Sequence, residues 1–150
     1  MIIRRAREGD VSELADMSLQ FLTSELAYDR NLHVPSKEEF YNFWIRTLDN
    51  QRNVVLVAEE EELLGYVYGW FMRDFFLFKE SRAYISDLFV KPEFRGNGVG
   101  SSLLTHIIDV FRKGGVRFVY ADVYCRNTSA LGFWKKNGFD VESFTLVRQL

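Results

Sequence analysis

The chain has 150 residues, 47% of them hydrophobic, with a net charge of −2 and a pI near 5.7. That length suits a single domain over residues 1–150, and a charge so close to neutral lacks the basic face that sequence-independent nucleic-acid binding requires. No apolar run approaches the ~18 residues of a membrane span, the lone Cys125 precludes an intrachain disulfide and suits a reducing cytoplasm, and His33 and His106 make no metal motif.

Met1 leads directly into a short strand, Ile2 to Ala6, with no secretory leader pattern. Asp10 and Glu13 read as a capping box opening a helix with Val11, Leu14, Ala15, Ser18 and Leu22 on one face, fading near Leu26 to Asp29. Pro35 marks the end of a loop. Ser36 and Glu39 form a second box, and the helix behind it places Phe40, Phe43, Trp44, Thr47 and Leu48 on a core face. Asn53 to Ala58 and Leu63 to Met72 are β-rich, and Glu59 to Glu62 between them read as a solvated hairpin turn. Phe75, Phe76 and Phe78 follow, open to three uses: core padding, an acceptor groove or a dimer contact.

Tyr84 to Val90 is the next strand. Pro92 ends it, and Gly96, Gly98 and Gly100 form a turn into a helix whose Val99, Leu103, Leu104, Ile107, Ile108 and Phe111 recur at helical spacing. His106 in that helix reads as structural or exposed. Gly114-Gly115 stops the helix. Arg117 to Tyr124 is a strand, Asn127 or Thr128 caps a short helix to Lys136, and Phe139 to Val147 offers one or two closing strands. Strand, helix, strand around Val90 to Tyr120 predicts a parallel pair with a right-handed crossover, beside antiparallel hairpins. The fold class is therefore α/β with a mixed sheet and helices on both faces.

Strand, glycine turn and helix start make a cradle for phosphate, because the first helical N–H groups lack intrahelical partners and lie at the positive end of the dipole. A P-loop is a poor fit, since no lysine follows the glycines; the dinucleotide fingerprint is a poor fit, since Gly100 follows Gly98 by only two. A tight turn without a ligand is the bland alternative. The pattern Val90-x-Pro92-x-x-Arg95-x-x-Gly98-x-Gly100 resembles the acyl-CoA pyrophosphate loop of the GCN5-related N-acetyltransferase (GNAT) superfamily. Asn127-x-x-Ala130-x-x-Phe133-Trp134-x-x-x-Gly138-Phe139 resembles the C-terminal segment of the same superfamily.

That resemblance implies a GNAT-like fold, mostly antiparallel, with one splayed parallel strand pair at an acetyl-CoA site. It implies that the backbone of Leu88, Phe89 and Val90 pairs with the pantetheine arm. The loop Arg95, Gly96, Asn97, Gly98, Val99, Gly100 and Ser101 would hold the pyrophosphate, with Asn127 and Trp134 at the pantetheine wall. It implies an enzyme that transfers acetyl from acetyl-CoA, as co-substrate, to an amine, and a possible homodimer; charge, hydropathy and histidine placement already point to no nucleic acid, membrane or metal partner.

An alkylamine is mostly charged at neutral pH, so transfer needs a base to take its proton. Asp87 is the first candidate, on the strand that would present the thioester; Asp122 and Tyr124, on one face of the neighbouring strand by period-two alternation, are second candidates. A backbone N–H at Leu88 or Phe89 would bind the oxyanion. The family often carries a tyrosine at Trp134, and indole cannot supply that acid, although a thiol with a pKa near 8.5 is a fair leaving group unaided. An inactive acyl-CoA sensor and a nucleotide-binding module are the competing readings.

Overall fold

Strict alternation along Asn53–Glu59 sends Val54, Leu56 and Ala58 to one side of a strand and Val55 and Val57 to the other, and all five are buried. A strand apolar on both sides must be covered on both sides, which sets the layering of the whole molecule. The computed structural model describes residues 1–73 and 76–150. Its sheet runs in the order β1 (Ile2–Arg5), β2 (Asn53–Glu59), β3 (Leu63–Phe71), β4 (Arg82–Val90), β5 (Phe118–Ala121). The first four strands are antiparallel and β5 lies parallel to β4.

On one face lie α1 (Val11–Glu25) and α2 (Lys37–Asp49), burying Val11, Leu14, Met17, Phe40 and Trp44 against Val55, Val57, Tyr66 and Phe89. On the other lies α3 (Val99–Lys113), whose Val99, Leu103, Leu104, Ile107 and Phe111 meet Val54, Leu56, Val67 and Ile85. The last helix, α4 (Thr128–Lys136), adds Phe133 and Trp134 to that second core. The expected mixed sheet, parallel pair and two-sided helical cover are all present.

The Ser36 box forms as expected, with the Glu39 N–H donating to Ser36 Oγ at 3.2 Å and the Ser36 N–H to Glu39 Oε2 at 2.8 Å. Asp10 does not cap α1 with its side chain; its carboxylate instead accepts from the Arg4 guanidinium at 2.7 and 2.9 Å and from the Arg7 N–H at 2.7 Å. Those donors hold the Asp10 carboxyl below its usual range. The glutamate turn is less idle than expected: Glu59 accepts from Arg4, and Glu62 pairs with Lys91 at 2.5 Å. Phe43, expected in the core, is 37% exposed.

The strand expected over Arg117 to Tyr124 stops at Ala121, so Asp122 and Tyr124 do not share a strand face. No strand forms after Phe139. That stretch finds no neighbour to complete a ladder, and Phe144 and Leu146 stand 82% and 93% exposed. Phe76 is 88% exposed, Phe78 lies under the Arg82 guanidinium at 3.4 Å, and Phe75 falls outside the described residues.

Candidate active site

The residues Ile85-Ser86-Asp87-Leu88 break strand alternation with two polar residues in a row, and here β4 carries a bulge. Tyr68 pairs with Asp87 but Gly69 pairs with Ile85, leaving Ser86 as an extra residue. Before the bulge, Ala83 and Ile85 face the α3 core; after it, Leu88 and Val90 do so, while Phe89 joins the α1–α2 core. Without the extra residue, Asp87 would point into the α3 core. With it, Ser86 and Asp87 both turn towards α1 and α2. Gly69 permits this approach, because a Cβ there would lie 2.5 Å from the Tyr84 carbonyl oxygen.

The ladder between β4 and β5 ends at Ile85 and Ala121, immediately before the bulge, so the later part of β4 is splayed from β5. The Lys91 N–H donates to Leu64 O on β3 at 2.9 Å. Because successive amides of a strand point to opposite edges, the Phe89 N–H also faces β3 and those of Leu88 and Val90 face the open edge. The Val90 carbonyl on that edge already accepts from Arg95 Nε at 2.8 Å.

Asp87 lies at the floor of a groove of about 400 Å³ lined by Ser18, Phe21, Leu22, Pro35, Glu39, Phe40, Phe43, Tyr68 and Ser86. A buried chain of hydrogen bonds supports it. Tyr66 Oη donates to Asp87 Oδ2 at 3.2 Å, Ser18 Oγ lies 3.2 Å from Tyr66 Oη, and Trp44 Nε1 donates to Ser18 Oγ at 2.9 Å. Ser86 Oγ donates to Asp87 Oδ1 at 2.5 Å. Burial pushes the Asp87 carboxyl above the usual carboxylate range, and the Ser86 and Tyr66 donors only partly offset it. Burial, and then the charge of Asp87, push Glu25 up as well. Ser18 was expected only on the packed face of the first helix, and Tyr66 was not singled out, since a serine in a helix and a tyrosine in a strand look like ordinary packing.

The expected cradle is built. After a short 3-10 turn at Pro92–Phe94, Gly96 and Gly98 both adopt φ of +80°, a conformation that favours glycine. The first α3 bond runs from the Ser102 N–H to Gly98 O at 3.0 Å, so the N–H groups of Val99, Gly100 and Ser101 have no intrahelical acceptor. A Cβ on Gly96 or Gly98 would meet nothing within 4 Å, leaving open space over the loop. Asn97 Nδ2 donates weakly to Arg95 O at 3.4 Å, and the Arg95 guanidinium stands 5.6 Å from the Phe89 ring centre. These features fit a pyrophosphate and an extended amide arm.

The second-rank candidates lie elsewhere. Exposed Asp122 accepts from Tyr84 Oη at 2.6 Å. Tyr124 donates to Asp29 Oδ2 at 3.1 Å and stacks on Tyr28, tying its loop to the segment after α1; burial and Asp29 push its hydroxyl up. No described hydrogen bond joins Asp122 or Tyr124 to Asp87. Asn127 caps α4 by accepting from the Ala130 N–H at 3.1 Å, which leaves its amide donors for other partners. Trp134 packs edge-on against Phe133 and Phe139 at 5.7 and 4.9 Å. His106 is exposed on α3, its ring nitrogen 2.8 Å from Ser102 O. No cluster of metal-ligating side chains occurs among the described residues.

Comparison with known proteins agrees with this geometry. A family model described as the acetyltransferase (GNAT) family matches residues 18–139. An uncharacterized N-acetyltransferase of Methanocaldococcus jannaschii is 39% identical over 62 residues, 41% of this chain and 27% of that protein. The L-amino acid N-acyltransferase MnaT of Escherichia coli is 28% identical over 142 residues, covering 94% of this chain and 80% of that protein. Among solved structures, a point mutant of the BH1408 protein from Bacillus halodurans shares the fold with a TM-score of 0.91 at 24% identity, covering 100% of this chain and 99% of that one. The bulged open-edged strand, the glycine cradle and a family match spanning most of the sequence converge on one conclusion: the chain belongs to the acetyltransferase (GNAT) family and is an N-acetyltransferase.

Proposed function

We propose that the protein transfers the acetyl group of acetyl-CoA to a primary amine by direct attack within a ternary complex, with Asp87 as general base. The observation that carries this is the bulge at Ser86. It puts a half-buried carboxylate in an aromatic groove and an open strand edge on consecutive residues.

In this reading the N–H groups of Val99, Gly100 and Ser101 and the loop from Arg95 to Gly98 hold the pyrophosphate, and the free edge of β4 aligns the pantetheine amides. Because Val90 O is occupied by Arg95, the Leu88 N–H and C=O and the Val90 N–H are the groups left for that arm and for the oxyanion. The ammonium loses one proton to Asp87, directly or through water. The free amine then forms the C–N bond, the carbonyl oxygen takes the negative charge, and collapse breaks the C–S bond. The nitrogen sheds its second proton; one of the two protons ends on the CoA sulfur and the other in solvent. Trp134 cannot supply a proton, so the thiolate departs unaided, as its acidity allows.

The test is release of CoA thiol from acetyl-CoA against a panel of primary amines, with Asp87→Asn and Tyr124→Phe alongside the wild type. Asp87→Asn should lose about 10²–10⁴-fold in kcat while KM for acetyl-CoA changes little. Tyr124→Phe should stay within a few-fold. Near-normal turnover by Asp87→Asn would remove Asp87 from the mechanism.

A further inference from the structure

We infer that the acceptor is a small primary amine with an apolar body and no carboxylate beside the nitrogen, so that free α-amino acids are rejected. This rests on the amine-acetylating reading above and narrows it.

The groove has two charged side chains in its lining, Asp87 and Glu39, and both are carboxylates. No lysine or arginine lines it among the described residues, and the rest of its wall is mainly Phe21, Leu22, Phe40, Phe43 and Tyr68. Two cations on flanking segments are engaged elsewhere. Lys37 at the start of α2 pairs with Asp16 at 2.7 Å, and Arg126 donates to the Tyr28 carbonyl. The Ser36 backbone and side-chain donors, and to a lesser extent the charge of His33, favour the charged form of Glu39. The capping box takes up two backbone donors at the α2 terminus, with the Ser36 N–H on Glu39 and the Glu39 N–H on Ser36 Oγ, and it puts the Glu39 carboxylate there.

An α-amino acid whose nitrogen met Asp87 would hold its own carboxylate about 5 Å from that of Asp87. At an effective dielectric constant of about 20, the repulsion corresponds to a discrimination of the order of a hundredfold. The ammonium attraction is the same in both molecules, so a ratio between matched acceptors, taken per fraction of free amine, isolates the carboxylate. The aromatic wall, by contrast, welcomes an aryl or alkyl body.

The experiment compares kcat/KM, with acetyl-CoA saturating, for phenethylamine, phenylalaninamide and phenylalanine, and for cadaverine, lysinamide and lysine. The amine and the amide of at least one set should exceed the free acid by about 100-fold. Phe43→Arg, at the exposed edge of the wall, should then narrow that ratio at least tenfold. A free amino acid used within tenfold of its amide would overturn this inference and leave the acetyltransfer reading standing. Turnover of longer peptides with no turnover of any small amine would overturn it likewise. Failure to turn over any amine, with acetyl-CoA bound, would overturn both.

Discussion

Replacing Tyr66 by Phe removes one oxygen from the fully buried chain behind Asp87. The loss leaves few orphans. Trp44 Nε1 still donates to Ser18 Oγ, and Ser18 Oγ still donates to Leu14 O at 2.8 Å. Asp87 keeps Ser86 but loses a donor that favours its charged form. At 3.2 Å the Tyr66 bond is long, so its contribution to a charged acceptor is at the low end, about 1.5 kcal/mol. At about 1.4 kcal/mol per unit, the Asp87 titration should rise by roughly one pH unit. The working form is the carboxylate, so the acid limb of the kcat/KM profile moves to higher pH while the alkaline plateau holds. The melting temperature should fall by about 3–6 °C at neutral pH, from about 1.5 kcal/mol lost. A uniform fall in rate at every pH, with the acid limb unmoved, would refute the reasoning: Tyr66 would then be packing alone, and Asp87 would not be the titrating base.

Asp87→Asn should be slowed about 10²–10⁴-fold in kcat yet more stable at pH 7. A carboxyl raised by burial favours the fold when protonated, and that contribution is lost as pH climbs from near 3.8 through its folded value. Thermal melts should therefore show a gain for the variant at pH 7 and none near pH 4; equal melting at pH 7 would count against the buried charge. Gly98→Ala forces a Cβ onto a φ of +80° and should cost about 1–2 kcal/mol together with a raised KM for acetyl-CoA, measured by melting and steady-state kinetics. Gly69→Ala should expel Tyr84 O from contact and disturb the bulge, giving a loss of kcat beyond what its fall in stability explains; intact kinetics would show that the bulge tolerates a side chain.

Much of this molecule is written in local chemistry. Gly96 and Gly98 announce a turn that other residues adopt with difficulty, Ser36 and Glu39 close their own box, and the helical spacing from Val99 to Phe111 declares the face α3 buries. What escaped the sequence depends on partners far along the chain. Asp10 reads as a cap until Arg4 takes its carboxylate. Phe43 reads as core until α2 proves to border a groove. Asp122 and Tyr124 share a face only if β5 continues, and pairing with β4 stops at Ala121. Phe139 to Val147 has the composition of a strand, yet no neighbour along the sheet receives it. Asp87 was visible as a carboxylate on β4, but its direction was not, because period-two counting assumes that no residue is spare.

That spare residue works like a shift of reading frame. Upstream of Ser86 the odd-numbered side chains of β4 face α3; downstream the even-numbered ones do. The chemistry of residues 87–90 is thus set by phase as much as by identity. A length change of one residue before Asp87 would trade the side chains of Asp87 and Leu88 between groove and core, while also re-pairing the strand edge that the bulge leaves free. Substitution can tune this site, but only a constant count along β4 keeps it in register with itself.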